Sequence, residues 1–281
     1  MKEKYGKISE SETVAESWEL SLHKDGLTKT ADGKTLAETL TAADVGTRAS
    51  KFPFFPMLIK FIDAKDNLSV QVHPSDAYAL QNENSYGKTE MWYVVEAEAG
   101  AGLYLGFNRD VTEAEVAEAI QNNTLSGLLN FYEVKAGESY FIPAGTIHAI
   151  GKGCLICEIQ QNSNLTYRVY DYGRKDKFGN TRELHIEKAM KVLDFKAYQP
   201  LVFDGNALGD CEYFHVEKWS VKGEKRFHVG AESFLCVTCV EGEGALGGNP
   251  VRLGDSFFIP AGYGDCALQG ELTVITSIIG E

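Results

Sequence analysis

The stretch Gly137-Glu-Ser-Tyr-Phe-Ile-Pro-Ala-Gly145 returns 117 residues later as Gly254-Asp-Ser-Phe-Phe-Ile-Pro-Ala-Gly262. Glycine, proline and glycine hold the same register in both, with aromatics between them, so the chain carries two copies of one unit. Upstream of each copy lies a further related stretch, Trp92-Tyr-Val-Val-Glu96 and Leu235-Cys-Val-Thr-Cys-Val-Glu241. Short apolar or alternating runs punctuated by glycine and proline are the pattern of a sandwich or barrel. The expectation is a mainly β protein of two such units with a few inserted helices. Ser139 to Ile142 reads as a strand that enters the Pro143-Ala-Gly145 turn.

Three helices are expected. Thr112 and Glu115 form a capping box, and Val116, Ala119 and Ile120 supply one apolar face. Leu184 to Phe195 carries Ile186, Ala189, Met190 and Leu193 at helical spacing and closes the first unit. A third helix is expected around Lys34 to Ala43. The unit boundaries then fall at 1–196 and 197–281.

The chain of 281 residues is 44% hydrophobic and 24% charged, which suits a globular protein rather than a disordered one. Its net charge of −13 repels nucleic acid and anionic membranes over long range. A small anionic substrate would need a local cluster of cations. No apolar run reaches membrane-spanning length, and the N-terminus shows no signal peptide. The six cysteines lie in apolar, β-prone runs, including Cys154-Leu-Ile-Cys157 and Cys236-Val-Thr-Cys239. They read as buried reduced thiols rather than a zinc knuckle, and a cytoplasmic location is expected.

In Leu68-Ser-Val-Gln-Val-His73-Pro, alternation places Ser69, Gln71 and His73 on one strand face and the apolar residues on the other. His148 follows directly after the Pro143-Ala-Gly145 turn, whereas the second copy has Asp265 at the matching place. The turn therefore does not need a histidine for structural reasons. Gly87-Lys88-Thr89-Glu90 leads into another strand. Gln71, His73, Glu90 and His148 together offer two imidazoles, a carboxylate and an amide oxygen, a donor set suited to zinc or another divalent ion.

The Gly137-x5-Pro143-x-Gly145-x2-His148 pattern matches the second motif of the cupin family, a resemblance that implies two cupin (jelly-roll β-barrel) units. With Ser69-Val-Gln71-Val-His73-Pro74, Gly87-Lys88-Thr89-Glu90 and Glu158-Ile-Gln-Gln-Asn-Ser-Asn-Leu-Thr-Tyr-Arg168-Val-Tyr-Asp-Tyr-Gly-Arg174, the chain resembles the short bacterial form of type I mannose-6-phosphate isomerases over nearly its whole length. The resemblance implies one zinc ion per chain on Gln71, His73, Glu90 and His148. It further implies Arg168, Glu158 and Lys88 as catalytic residues, with Ser69, Arg174 and Lys88 at the substrate phosphate. The implied reaction interconverts mannose 6-phosphate and fructose 6-phosphate through a cis-enediol.

The chain departs from the family pattern in two places. Short members open with an additional stretch bearing a Trp-Gly-Gly motif, and this sequence starts beyond it, although Trp18-Glu19 is present. Asn164 stands where aspartate is usual, which bears on how Arg168 is held. The competing readings are a non-catalytic sugar-phosphate-binding cupin and an iron cupin dioxygenase. Retention of Lys88, Glu158 and Arg168 argues against the first, and a glutamine ligand against the second. The second unit lacks the metal pattern, and the sequence leaves monomer or homodimer open.

Overall fold

A computed structural model describes residues 1–175 and 178–281. Strands β1 (Glu16–Leu20), β2 (Leu22–His23), β3 (Gly26–Leu27), β4 (Met57–Asp63), β5 (Val70–Val72) and β6 (Glu90–Ala97) come first. β7 (Gly102–Phe107), β8 (Leu129–Glu133), β9 (Ser139–Ile142), β10 (His148–Ile150), β11 (Cys154–Gln161) and β12 (Tyr167–Tyr170) follow. The last are β13 (Ala207–Asp210), β14 (His215–Val229), β15 (Leu235–Leu246), β16 (Asn249–Arg252), β17 (Ser256–Ile259) and β18 (Gly264–Ile278). The helices are short: α1 (Lys2–Tyr5), α2 (Leu36–Thr39), α3 (Ala42–Val45), α4 (Asp76–Asn82), α5 (Glu113–Gln121) and α6 (Ile186–Met190). The expected mainly β character holds.

The chain divides into two compact units, each discontinuous in sequence. One comprises Met1–Asp63, Ile156–Asn162 and Val202–Glu281; the other comprises Ala64–Leu155 and Ser163–Leu201.

In the second of these, an antiparallel sheet runs in the order β12-β5-β10-β7-β8, and β6 pairs separately with β9. Strand alternation sorts the side chains of the larger sheet. Val70 and Val72, Ala149, and Tyr167 and Val169 enter one apolar core together with Val116, Ala119 and Ile120 of α5. Gln71 and Arg168, lying between those residues, are turned away from that core. Burying each large apolar side chain contributes roughly 1.5–3 kcal/mol, so the register of β5 and β12 is strongly specified. The α5 capping box forms as expected: the Thr112 hydroxyl accepts from the Glu115 N–H, and the Glu115 carboxylate accepts from the Thr112 N–H.

In the other unit, β1 pairs with β4, and a second sheet runs β13-β14-β18-β15-β16, with β17 on β15. β14 and β18 stay in register from His215 opposite Ile278 to Val229 opposite Gly264. Val237, Leu268 and Val274 lie at the centre of their core.

The internal repeat is visible in the backbone. Gly137 and Gly254 have φ of 96° and 91°, and Gly145 and Gly262 have 90° and 77°, a left-handed region that favours glycine. β9 pairs with β6 through Ile142 opposite Glu90, and β17 pairs with β15 through Ile259 opposite Leu235. A leucine therefore occupies, in the second copy, the place of Glu90. Likewise His148 faces Gln71, whereas Asp265 faces His228. The second copy keeps the turn chemistry but not the donor set.

Two helix expectations need correction. Lys34 to Ala43 is two separate turns, α2 and α3, each opened by its own box, Thr35 with Glu38 and Thr41 with Asp44; Leu40 between them is extended. The helix expected over Leu184 to Phe195 is only Ile186–Met190. Its last turn tightens as Val192 N–H donates to Ala189 O three residues back, and the chain is then drawn off because Asp194 N–H donates to Gly145 O. All six cysteines are free thiols; five are buried and Cys211 half-buried. Burial pushes Cys236 up to about 12 and Cys154 up to about 11. Among the described residues, no helix is long and apolar enough to cross a membrane.

Candidate active site

The polar face of the β12-β5-β10 sheet carries a row of three side chains at one level. Gln71 on β5 stands opposite His148 on β10 and opposite Arg168 on β12. His73 follows two residues after Gln71, on the same side by alternation. The Pro143-Ala-Gly145 turn is tied to it, since Gly145 N–H donates to His73 O at 2.8 Å. Glu90 opens β6.

His73, Glu90 and His148 are all buried, and one donor atom of each lies within 4.8 Å of the others. Their tautomers follow from their second nitrogens. His73 Nδ1 lies 2.8 Å from Leu165 O, and His148 Nδ1 lies 2.8 Å from Thr146 O. A carbonyl oxygen only accepts, so each Nδ1 carries the proton and each Nε2 presents a lone pair inward. His148 Nε2 is 3.2 Å from Glu90 Oε1, and His73 Nε2 is 3.8 Å from Glu90 Oε2. The Gln71 carboxamide reaches His148 Nε2 at 3.3 Å. Edge-on contact with Trp92 backs the His148 ring.

Glu90 is 0% exposed, and neither of its carboxylate oxygens accepts a well-aligned hydrogen bond. A buried carboxylate without hydrogen bonds is costly unless cations meet it; the Lys88 ammonium meets Oε2 at 2.8 Å, and Oε1 faces His148 Nε2 at 3.2 Å. Two inward imidazole lone pairs, this carboxylate and an adjacent amide therefore fit a divalent cation, as the sequence suggests.

Lys88 is buried beside the set, with Nζ 2.8 Å from Glu90 Oε2 and 3.4 Å from His73 Nε2. Its backbone is fixed from the His73 side, because Lys88 N–H donates to Pro74 O and Gly87 N–H donates to Asp76 Oδ1. A Cβ at Gly87 would come within 2.5 Å of Pro74 O, so only glycine allows this crossing.

Arg168 donates from Nε to Ser69 Oγ at 3.3 Å and from Nη1 to Glu183 O at 3.0 Å. Asn164 is exposed, and the two bonds to Ser69 and Glu183 anchor the guanidinium. Burial and the Arg182 charge hold Arg168 below its ordinary value, with Asp171 acting against them. Arg174 donates from Nη1 to Asn67 O at 2.5 Å and pairs with Asp171 through Nη2.

Comparison with known proteins agrees with this geometry. Residues 2–100 match the model of the phosphomannose isomerase type I catalytic domain, and residues 205–279 match that of the mannose-6-phosphate isomerase cupin domain. A mannose-6-phosphate isomerase of Bacillus subtilis is 35% identical over 97% of this chain and 92% of its own length. One from Streptococcus mutans is 36% identical over 99% and 92%.

The chain belongs to the type I phosphomannose isomerase family.

The crystal structure of the B. subtilis mannose 6-phosphate isomerase superposes with a TM-score of 0.87 at 34% identity, covering 98% of this chain and 93% of that one. The cupin fold expected from the repeat is thereby shared with this isomerase family. Seven of the site residues named from sequence come together in one unit: Ser69, Gln71, His73, Lys88, Glu90, His148 and Arg168. Arg174 lies in the same unit, folded onto Asp171. Glu158 lies in the other unit, 2% exposed on β11. His215 and His228, outside the motifs, pair with Asp210 and Asp265.

The sequence reading missed three residues around Arg168. His185 accepts from Arg168 N–H at Nδ1 and donates its own N–H to Arg168 O. Asp171 and Arg182 form a two-bond pair at 2.7 and 2.5 Å. Only the Tyr-Asp-Tyr-Gly turn signal before Arg174 hints at them.

Proposed function

We propose that this phosphomannose isomerase family member interconverts mannose 6-phosphate and fructose 6-phosphate at the His73–Glu90–His148 site. The observation that supports it most is the buried Glu90 carboxylate facing two imidazole Nε2 atoms, beside the His148–Gln71–Arg168 row. Gln71, His73, Glu90 and His148 would hold one zinc ion. Such a cation supplies Lewis-acid polarisation of the substrate's oxygens.

The chain's own groups supply the rest. The Glu158 carboxylate removes the C2 proton of the open-chain aldose and, once protonated, returns it to C1, giving the ketose. The Lys88 ammonium donates hydrogen bonds to the O1 and O2 oxygens as the second proton passes between them. Arg168 keeps its proton throughout and stabilises the oxyanion. Ser69 and Arg174 bind the phosphate, which provides the local cations that a chain of net charge −13 requires, while Lys88, 2.8 Å from Glu90, stands at the reacting end.

In this reading residues 1–196 are the catalytic cupin, and 197–281 are a degenerate second cupin without a metal site. Six free thiols fit a cytoplasmic enzyme. The protein acts as a monomer or homodimer on a small sugar phosphate.

The test is a coupled assay for fructose 6-phosphate from mannose 6-phosphate, before and after chelation and after zinc is restored. Activity lost to the chelator and recovered with zinc supports the reading. Folded, zinc-loaded protein that binds the sugar phosphate without turnover overturns it in favour of a binding cupin.

A further inference from the structure

We infer that Asp171 and Arg182 complete the phosphate end of the site, Arg182 as an additional phosphate-binding arginine and Asp171 as the positioning carboxylate that holds Arg174 and Arg182 side by side. The inference rests on the isomerase reading for the identity of the phosphate ester.

Asp171 is 5% exposed, and both of its oxygens are occupied. Arg182 donates from Nε to Oδ2 and from Nη2 to Oδ1, while Arg174 Nη2 donates to the same Oδ1. A guanidinium has five N–H groups, so each arginine retains donors after these bonds. Arg174 also donates from Nε to Asp171 O and from Nη1 to Asn67 O, and the arginine side chains remain 31% and 52% exposed. Burial pushes the Asp171 carboxyl up, but the bonds from Arg182 and Arg174 prevail and hold it below the usual carboxylate range.

The backbone is bent to make this arrangement. Arg174 N–H donates to Asp171 O at 3.0 Å, closing a turn whose two central residues, Tyr172 and Gly173, have φ of 56° and 64°. A tyrosine is disfavoured in the left-handed region, because its Cβ crowds the following carbonyl oxygen. The turn folds the Arg174 guanidinium back over the Tyr172 ring, 5.2 Å from its centroid. Strain held in a short segment next to a reactive site points to a task for that segment.

Placement relative to the donor set agrees. Arg168 bonds Ser69 and Arg174 bonds Asn67, two and four residues before Gln71. The cations thus step away from the metal-binding end along one stretch of chain. A hexose 6-phosphate has the same polarity, with reacting carbons at one end and the phosphate at the other. Arg174 and Arg182 less Asp171 leave about one net positive charge at the end where the phosphate lies, with Arg168 kept for the reacting end. Asp66 and Glu183 also lie nearby, but they are 71% and 84% exposed, and solvent screens them.

The test measures inorganic phosphate binding by calorimetry, and KM and kcat for mannose 6-phosphate, on zinc-loaded Arg182→Ala, Arg182→Lys and Asp171→Asn. Arg182→Ala should weaken phosphate and raise KM together by about 10- to 100-fold, as for lost hydrogen bonds to a charged group. KM should rise more than kcat falls. Arg182→Lys should be intermediate, because it keeps the charge but not the fork, and Asp171→Asn should shift both constants in the same direction. Inhibition by the uncharged polyol mannitol should not change; a collapsed loop would weaken it as well and would overturn the proposal. Wild-type turnover combined with unaltered phosphate affinity and KM in Arg182→Ala also overturns it. Phosphate binding lost in Arg182→Ala, in a wild type that does not isomerise, would uphold the anion site and sink the isomerase reading alone.

Discussion

Arg168 is the direct cross-strand partner of Gln71, and Gln71 in turn is the partner of His148. Opposed residues in antiparallel strands have Cα atoms about 4.5–5.5 Å apart, so backbone pairing itself sets the spacing between the guanidinium and the donor set. That spacing is secured by Val70, Val72, Tyr167 and Val169 on the reverse face of the same two strands. Slipping either strand by one residue would bury Arg168 and expose valine.

Replacing Arg168 by lysine keeps a positive charge but loses the planar fork that meets both Ser69 Oγ and Glu183 O. We expect kcat to fall by about 10²–10³, the usual loss on removing one aligned oxyanion donor, with metal content unchanged. Steady-state kinetics together with elemental analysis checks this. Loss of metal in Arg168→Lys would mean that the arginine supports the ligand row rather than the reaction.

Glu90→Gln tests the buried charge. It should abolish metal binding and remove the carboxylate that lies 2.8 Å from the Lys88 ammonium. Breaking one side of a buried pair costs about 3–5 kcal/mol. Adding Lys88→Met should recover much of that stability but none of the metal. Urea melts of the single and double variants, measured alongside metal content, separate the two effects.

Gly87→Ala should be damaging without touching a ligand. The new Cβ meets the backbone of Pro74, Ser75 and Asp76, so the chain must move by an appreciable fraction of an ångström. Such overpacking typically costs about 1–3 kcal/mol. The displaced segment carries Lys88 and Glu90, so metal affinity should drop more than thermal stability does. Equal wild-type affinity would show that the loop yields elsewhere.

The donor set was legible in the sequence because two local rules carry it. Alternation aligns Ser69, Gln71 and His73, and the glycine-proline-glycine turn delivers His148. The repeat also exposed that Asp265 stands where His148 does, whereas Leu235 in the place of Glu90 emerged only from the strand pairing. Helix lengths were less legible. Ile186, Ala189, Met190 and Leu193 satisfy helical spacing, yet the chain leaves the helix at Met190 because Asp194 bonds to the distant Gly145. Arg182 was not legible at all. Its pairing with Asp171 spans eleven residues and depends on a turn with two left-handed residues, which no periodicity encodes.

The α5 cap gives a pH signature unrelated to the active site. The Thr112 N–H, then Arg109, then the Thr112 hydroxyl hold the Glu115 carboxyl down at about 2, against 4.5 for an unperturbed group. A carboxyl depressed in the folded state stabilises fully above the unfolded value and loses that contribution as pH falls through the folded one. The cap's share should therefore fade between about pH 4.5 and 2. Thermal melts of Glu115→Gln should show a shallower acid dependence than wild type in that window. Identical profiles would remove Glu115 from the acid response.

Glu158→Gln bears most directly on the chemistry. Glu158 is 2% exposed on β11, and none of its oxygens is needed for the His73, Glu90 and His148 donor set. Removing a general base costs about 10²–10⁴ in rate, so kcat should fall by that much while metal content and phosphate binding hold. Isomerisation in deuterated water supplies the second measurement. If a carboxylate lifts the C2 proton, part of it exchanges before return, and the wild-type product carries solvent deuterium at C1. Product free of label at every turnover rate, together with wild-type kcat in Glu158→Gln, would point to direct hydrogen transfer between the two carbons and leave Glu158 as a buried structural acid.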